Sequence, residues 1–165
     1  MEYVYDILQR KYAYGIMQLS HKIFNLMERF NSLESIYVYD NQGFVAKING
    51  KIIGYITFAI LYEKTEDFKE PRFTITTLGV DPEFQKQGIG KTLLKEVRNY
   101  FRKTYGYIKR IHNIQDIIYL HVRMGNHPAK SLYESNGFTM IEILEKYYIE
   151  PQEDGIYMKY KFGLS

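Results

Sequence analysis

A glycine-containing turn between a β-prone run and a helical segment constrains the fold of this chain more than any other feature. Residues 74–80 are β-branched or apolar, Asp81-Pro82 interrupts them, and Gln85-Lys86-Gln87-Gly88-Ile89-Gly90 precedes a segment of helical periodicity. Glycines let the backbone come close to a ligand, and the unpaired N–H groups and dipole of a helix N-terminus favour an anion. The pattern predicts a strand, a turn and a helix that cradle a pyrophosphate.

Three nucleotide-binding motifs can be compared with this turn. A P-loop requires Gly-x-x-x-x-Gly-Lys-Ser/Thr, but Gln85 occupies the position of its first glycine. A dinucleotide fold requires Gly-x-Gly-x-x-Gly, and Leu93 occupies the position of its third glycine. The spacing Gln-x-x-Gly-x-Gly does fit, and it resembles motif A of the GNAT acetyltransferases, whose turn holds the pyrophosphate of acetyl-coenzyme A. A glycine-tightened turn without a ligand is the alternative.

Composition limits the remaining classes of protein. The 165 residues suit one domain, 1–165, and the absence of cysteine excludes disulfides, thiolate metal sites and a cysteine nucleophile. A net charge of +3, spread among alternating acidic and basic residues, does not favour a nucleic-acid partner. The longest apolar run, residues 52–61, is too short to cross a bilayer, and the start of the chain lacks a signal-peptide pattern. We expect a soluble cytoplasmic protein without a membrane partner.

Hydrophobic periodicity predicts one α/β domain. The first half should contain an edge strand, an amphipathic helix with a break near Asn25, a mixed segment, a hairpin around Asn49-Gly50, and a solvated loop before the central strand. The edge strand is expected at residues 3–8, the helix at 12–30 and the mixed segment at 32–40. The hairpin is expected at 44–61 and the loop at 62–72.

The second half begins with a helix of about four turns that carries its apolar face from Ile89 to Phe101. A basic connection, a β-prone run, a helix capped by Asn126 and ended by Gly137, and two strands joined by a long loop should follow. The connection is expected at residues 103–116, the β-prone run at 117–122 and the helix at 126–136. The two strands are expected at 138–144 and 155–162, with the loop between them at 145–154.

A second motif makes the family resemblance specific. Leu120-His121-Val122-Arg123, then Asn126, Ala129, Leu132-Tyr133 and Gly137-Phe138, resemble the GNAT pattern Asn-x-x-Ala-x-x-Leu-Tyr-x-x-x-Gly-Phe. Lys146-Tyr147-Tyr148 and residues 153–159 are similar to the tails of protein N-terminal acetyltransferases of the NatA, NatE and RimI group. The resemblance covers residues 44–161. It implies a GNAT fold: a mixed, mostly antiparallel, twisted sheet of about seven strands, splayed at the central strands and flanked by about four helices.

The resemblance also implies acetyl-coenzyme A as co-substrate and no metal. Backbone groups of the turn would hold the pyrophosphate, and the strand before it would bind the pantetheine arm. Gly79, at the expected kink, could equally be a glycine packed under an aromatic ring. The implied cofactor-binding residues are Leu78, Gly79, Val80, Gln85, Lys86, Gln87, Gly88, Ile89, Gly90, Lys91, Thr92, Asn126, Ala129 and Tyr133.

Three residues are the catalytic candidates. By resemblance Tyr133 lies beside the thioester sulfur and acts as general acid, although it could be a core tyrosine. His121 would order a water that deprotonates the amine, unless it is an outward-pointing strand histidine. Glu28, in a segment similar to the Leu-Pro-Glu-Asn-Tyr of NatA-type enzymes, would bind or deprotonate the amine, unless it is a solvated helix-end residue. NatE enzymes carry a tyrosine where Thr74 stands, so a tyrosine–histidine base is not expected.

The expected substrate is the α-amino group of a protein or peptide. An α-amine titrates near 7.7–8.0 and a lysine near 10.4, so an α-amine is already partly neutral at physiological pH. Phe24, Glu28, Tyr147 and Tyr148 are the candidate substrate-binding residues. Alternatives are acetylation of lysine side chains or a small amine, and a module that binds acetyl-coenzyme A without catalysis. We expect a monomer or weak dimer, with a ribosome or an auxiliary subunit as the candidate docking partner.

Overall fold

A computed structural model describes residues 2–24, 42–64 and 69–163. Seven strands form one sheet: β1 (Val4–Ile7), β2 (Gln42–Ile48), β3 (Lys51–Lys64), β4 (Lys69–Val80), β5 (Ile117–Arg123), β6 (Thr139–Ile149) and β7 (Gln152–Lys161), in the order β1-β2-β3-β4-β5-β7-β6. The described residues form three α-helices, against about four expected: α1 (Ala13–Ile23), α2 (Ile89–His112) and α3 (His127–Ser135).

The sheet is mostly antiparallel, as predicted. β4 and β5 pair in parallel, from Phe73 opposite Ile118 to Ile75 opposite Leu120, while β4 continues to Val80 and β5 to Arg123. The crossover between these two parallel strands contains α2, as parallel pairing requires. The predicted hairpin is confirmed, since β2 and β3 are joined by Asn49 at φ 48° and Gly50 at φ 79°, the conformation that this dipeptide tolerates best.

The chain divides into two compact units. The first contains residues 1–59 and 76–101, and the second contains residues 60–75 and 102–165. In the first unit, the apolar face of α1 packs on β2 and β3 through a buried cluster: Ala13, Ile16, Leu19, Val45, Ile52 and Tyr55. The predicted edge strand and amphipathic helix are therefore present, with α1 ending at Ile23 and residues 25–41 outside the described part of the chain.

The predicted basic connection at residues 103–116 is wrong over most of its length, because α2 continues to His112. The buried stripe does not stop at Phe101: Ile108, seven residues later, is also buried. The lysines and arginines of this segment are good helix formers, and Gly106 adds only the cost of a weak helix former. A helix with one apolar face and a basic outer face replaces the expected loop.

The predicted loops at residues 62–72 and 145–154 are also largely strand. β3 extends to Lys64 and β4 begins at Lys69, with residues 65–68 outside the described chain. β6 and β7 are separated only by Glu150 and Pro151, and a register shift between Leu144 and Tyr148 absorbs the irregular sequence. Both loop predictions are wrong for the same reason. Charged side chains in strands pair with partners that hydrophobic periodicity does not reveal.

A buried carboxylate marks the end of β4. The Asp81 side chain is 1% exposed, accepts hydrogen bonds from Lys22 Nζ at 2.6 Å and from the Glu83 N–H at 3.2 Å, and caps the 3₁₀ turn Pro82–Phe84. The Asp81 N–H donates to the Ile53 carbonyl at 2.8 Å. Burial acts to raise the pKa of Asp81, but the hydrogen bonds from Lys22 and Glu83 outweigh burial and lower it.

Replacing Asp81 by Asn should reduce the free energy of unfolding by about 1–3 kcal/mol at pH 7, because Lys22 loses its partner and the cap loses its charge. The difference from wild type should shrink as the pH falls below about 4, where Asp81 itself becomes protonated in the unfolded chain. Urea unfolding at pH 7 and at a pH below about 4 measures this difference in the free energy of unfolding. Glu83→Gln, which removes an exposed carboxylate 3.5 Å from Lys22, is the control and should cost less than about 0.5 kcal/mol. Equal losses in the two variants would refute the role of Asp81.

Candidate active site

The turn in the first unit presents the N-terminus of α2. Gly88 adopts φ 81° and Lys86 adopts φ 59°, so the backbone reverses within a few residues. The Thr92 N–H donates to the Gly88 carbonyl at 2.9 Å, which is the first backbone bond of the helix. The N–H groups of residues 89–91 therefore lie in the first helical turn, where intrahelical acceptors are lacking. This arrangement suits a phosphate.

Side chains brace the turn. Gln85 donates to the Val80 carbonyl at 3.1 Å, and Gln87 donates to the Glu83 carbonyl at 3.4 Å. Gln87 also accepts a hydrogen bond from the Tyr3 hydroxyl. These amides hold the backbone of the turn in place, and the cofactor-binding role of Gln85 and Gln87 stays a prediction.

Two of the predicted cofactor residues have packing roles. The Ile89 side chain is 1% exposed, and a Cβ on Gly54 would lie 3.1 Å from its Cγ2, so Ile89 anchors α2 in the core. A Cβ on Gly79 would lie 2.3 Å from Ile23 Cδ1 and 3.3 Å from rings of both Phe24 and Tyr55. Gly79 is thus packed beneath apolar side chains, and the predicted role of its backbone in binding the pantetheine arm stays a prediction. Leu78 and Val80 beside it are half-buried.

In the second unit, α3 positions the candidate acid. The Asn126 side chain accepts from the Ala129 N–H at 3.2 Å, and Gly137 follows the helix at φ 89°, as predicted for both ends. Tyr133 is 6% exposed and packs edge-on against Phe138, with ring centroids 5.7 Å apart. Burial raises the pKa of Tyr133. Its hydroxyl therefore stays protonated and able to donate.

His121 lies in a stack of parallel rings. Its imidazole is 4.5 Å from the ring of Tyr157 at an interplanar angle of 10°, and 4.8 Å from the ring of Tyr147 at 13°. Tyr157 stacks in turn on Tyr119, with centroids 5.6 Å apart. We call Tyr147, His121, Tyr157 and Tyr119 the ring stack. It is built by β5, β6 and β7, since His121 lies opposite Tyr157 in the antiparallel register.

Burial and the positive charge of Arg72 lower the pKa of His121 to about 4. The imidazole is therefore neutral at physiological pH and can accept a hydrogen bond. Arg72 is not among the residues singled out from the sequence, and Tyr157 is there only part of the tail pattern at residues 153–159. The sequence signal that could have found Arg72 is strand alternation. Arg72 lies two residues before Thr74 and therefore on the same face of β4, and Thr74 pairs with Tyr119 of β5.

The candidate substrate residues lie in different places. Tyr147 and Tyr148 belong to β6 and not to a loop. Tyr147 is 46% exposed, and the Arg123 guanidinium carbon lies 4.2 Å from the centre of the Tyr148 ring. Phe24 caps the C-terminus of α1, and Glu28 lies outside the described residues.

Two other kinds of feature are absent from the described ranges. No group of three or more His, Asp or Glu side chains there could hold a metal ion. No helix in residues 2–24, 42–64 or 69–163 is long and apolar enough to cross a membrane.

Residues 1–138 match the model of the acetyltransferase (GNAT) family. The chain belongs to this family. Among GNAT relatives, N-alpha-acetyltransferase RimI of Mycobacterium tuberculosis is 30% identical over 118 residues, which cover 72% of this chain and 65% of that protein. An N-alpha-acetyltransferase of Sulfurisphaera tokodaii is 26% identical over 125 residues, covering 73% and 70%. The predicted similarity to the RimI group is thereby confirmed.

Solved GNAT structures confirm the predicted fold. The ribosomal-protein-S18-alanine N-acetyltransferase from Escherichia coli superposes with a TM-score of 0.76 at 22% identity, covering 99% of this chain and 96% of that one. Arabidopsis thaliana NAA60 in complex with acetyl-CoA gives a TM-score of 0.77 at 21% identity, covering 98% and 100%. The seven-stranded mixed sheet of the GNAT fold is therefore present here.

Replacing Gly88 by Ala tests the phosphate cradle. A residue with a Cβ is strained at φ 81°, so the turn should shift and the dissociation constant for acetyl-coenzyme A should rise by about tenfold, or 1.4 kcal/mol. Isothermal titration calorimetry measures this.

Gly106→Ala is the matched control, because this glycine also has no atoms within 4 Å of an added Cβ but lies inside α2 at an ordinary φ. It should leave the dissociation constant within about twofold of wild type and stabilise the helix. A Gly88→Ala protein that binds acetyl-coenzyme A as tightly as the Gly106→Ala protein would exclude the turn as the cradle.

Proposed function

We propose that this protein transfers the acetyl group of acetyl-coenzyme A to the N-terminal α-amino group of proteins or peptides, by direct attack of the amine in a ternary complex. The observation that carries the proposal is the ring stack, in which His121 lies beside an exposed tyrosine and is kept neutral by burial and by the charge of Arg72. Relatives named N-alpha-acetyltransferase support the same substrate class.

Acetyl-coenzyme A supplies the thioester. In the proposal, the N–H groups of residues 87–91 bind its pyrophosphate at the N-terminus of α2, and the backbone of residues 78–80 binds its pantetheine arm. Lys86 and Lys91 are exposed at this end of the first unit and add positive charge for the phosphates. Asn126 holds the first turn of α3, so that Ala129 and Tyr133 share one face of that helix.

The ring stack favours a peptide over a polyamine. The rings are uncharged, and the cation of Arg72 lies 5.0 Å from the centre of Tyr119 and 5.7 Å from that of Tyr157. The four rings supply no carboxylate to bind a polyamine, whereas a peptide backbone can contact aromatic faces and hydroxyls, including those of Tyr147 and Tyr148. Near pH 7.5, about one third of an α-amine population is neutral, compared with roughly one lysine in a thousand.

The proposed chemistry moves two protons. A water held by the neutral His121 accepts the proton that the amine loses as the new C–N bond forms. The C–S bond of the thioester breaks, and the Tyr133 hydroxyl donates its proton to the departing thiolate. The raised pKa of Tyr133 keeps that proton in place until negative charge develops on sulfur.

Replacing Tyr133 by Phe should lower kcat by about 10²-fold, because the general acid is lost, while the dissociation constant for acetyl-coenzyme A stays within about threefold. Tyr160→Phe is the control: its ring packs on Phe138, as the Tyr133 ring does, with centroids 5.5 Å apart. That variant should retain wild-type kcat. Steady-state kinetics on both variants decide the assignment, and a Tyr133→Phe enzyme as fast as Tyr160→Phe would refute it.

The substrate class is tested by competition. The protein is incubated with acetyl-coenzyme A and equal amounts of a peptide with a free α-amine, the same peptide α-blocked with one free lysine, and spermidine. One peptide should begin with Ala, because an E. coli relative is named as acting on the alanine of ribosomal protein bS18. Tandem mass spectrometry should locate acetyl groups on free α-amines only. Acetyl groups found solely on lysine or spermidine would contradict the substrate class while leaving the cofactor assignment intact.

A further inference from the structure

Arg72 is held in one orientation by contacts on three sides. Its guanidinium donates to the Tyr157 hydroxyl and, through Nη2, to Glu70 at 3.0 Å. Glu70 is fixed in turn by the side chain of Gln115 at 3.0 Å. The Arg72 side chain is only 18% exposed, and its guanidinium lies over the rings of Tyr119 and Tyr157. An exposed surface arginine would lack this set of contacts.

The contacts of Arg72 lead directly to His121. Tyr157, whose hydroxyl Arg72 holds, is the ring that covers one face of the imidazole at 4.5 Å. Tyr147 also stacks on the imidazole, at 4.8 Å, and lies on Gly155, where an added Cβ would come within 3.0 Å of the Tyr147 ring. The imidazole is therefore packed against two rings, and the hydrogen bond from Arg72 opposes movement of one of them, Tyr157.

We propose that Arg72 is a positioning residue for acetyl transfer: by holding the hydroxyl of Tyr157, it fixes the plane of the His121 ring that orders the deprotonating water. This inference rests on the proposed function and extends it to a residue in the strand that precedes the cofactor turn. The guanidinium fork is needed, since one arm binds Glu70 and the other binds Tyr157. A lysine at this position keeps the charge but cannot make both bonds in a fixed plane.

Two effects of Arg72 on His121 can be separated. Among the described residues, the imidazole stacks on Tyr147 of β6 and Tyr157 of β7, and the charge that acts on it is that of Arg72 of β4. Removal of the charge changes the protonation of His121, whereas removal of the fork changes its orientation. Arg72→Met removes both, and Arg72→Lys removes the fork alone.

The test compares both Arg72 variants with Arg102→Met. Arg102 also lies over an aromatic ring, with its guanidinium 5.4 Å from the centre of Phe162, and so matches the chemistry without contacting the ring stack. For the amine that the wild type acetylates, kcat/KM should fall about 10- to 100-fold in Arg72→Met and in Arg72→Lys. It should stay within twofold of wild type in Arg102→Met, and the KM for acetyl-coenzyme A should change less than twofold in all three.

The second readout is independent of activity. In NMR titrations, with the signal assigned through His121→Gln, His121 should titrate at higher pH in Arg72→Met than in wild type, and near the wild-type value in Arg72→Lys. Rates are compared at temperatures where circular dichroism shows each variant folded, and Arg72→Lys decides the case if Arg72→Met does not fold.

The outcomes distinguish the two proposals. Wild-type kcat/KM in Arg72→Lys would overturn the positioning role, and so would a loss no larger than that in Arg102→Met. If the wild type acetylates lysine or spermidine instead of α-amines, the substrate proposal fails, but the same ratios measured on that amine still decide the role of Arg72. If no amine is acetylated, an unchanged His121 titration in Arg72→Met would show that Arg72 does not act on His121, and this would overturn the proposal.

Discussion

A buried carboxylate fixes the place where β4 ends and α2 begins, and the first unit depends on it. Asp81 is 1% exposed and is held by Lys22 from the last turn of α1 and by the Glu83 N–H. A charge this well buried must keep its partners, so the end of α1 and the start of the turn cannot separate without a large cost. Ile89, packed in the core, then sets where α2 begins. The exposed N–H groups of the helix are a consequence of these two anchors.

The two residues of the second unit that we propose as catalytic, Tyr133 and His121, are both neutral. Burial keeps Tyr133 protonated and contributes, with Arg72, to keeping His121 unprotonated. Neither residue changes its charge near pH 7. An enzyme of this kind cannot create a neutral amine from a strongly basic one, and it is therefore suited to a substrate whose amine already titrates near neutrality. In the proposed function, selectivity for α-amines over lysines would follow partly from the chemistry of the substrate.

The local features of the fold could be predicted from sequence, and the features that depend on distant partners could not. Asn49-Gly50, the glycine turn before α2, and the Asn126 and Gly137 caps each carry their own backbone preference, and all are found as expected. By contrast, Arg72 looked like a loop residue, because its partners Glu70 and Tyr157 are brought to it only by strand pairing. The extension of α2 was missed because Gly106 and a run of charges masked the buried Ile108. The ring stack needs the register of β5 with β7, which a single sequence does not contain.

The proposed mechanism requires that the amine reach the site already neutral. The most direct test is the pH dependence of kcat/KM for two peptides that differ only at the N-terminal residue, one beginning with alanine and the other with trifluoroalanine, whose α-amine is much less basic. We predict that the acidic limb of the profile shifts by the full difference between the two amine pKa values. An acidic limb at the same pH for both peptides would contradict the account, because it would show that a titrating group of the enzyme, such as the carboxylate of Glu28, controls the reaction.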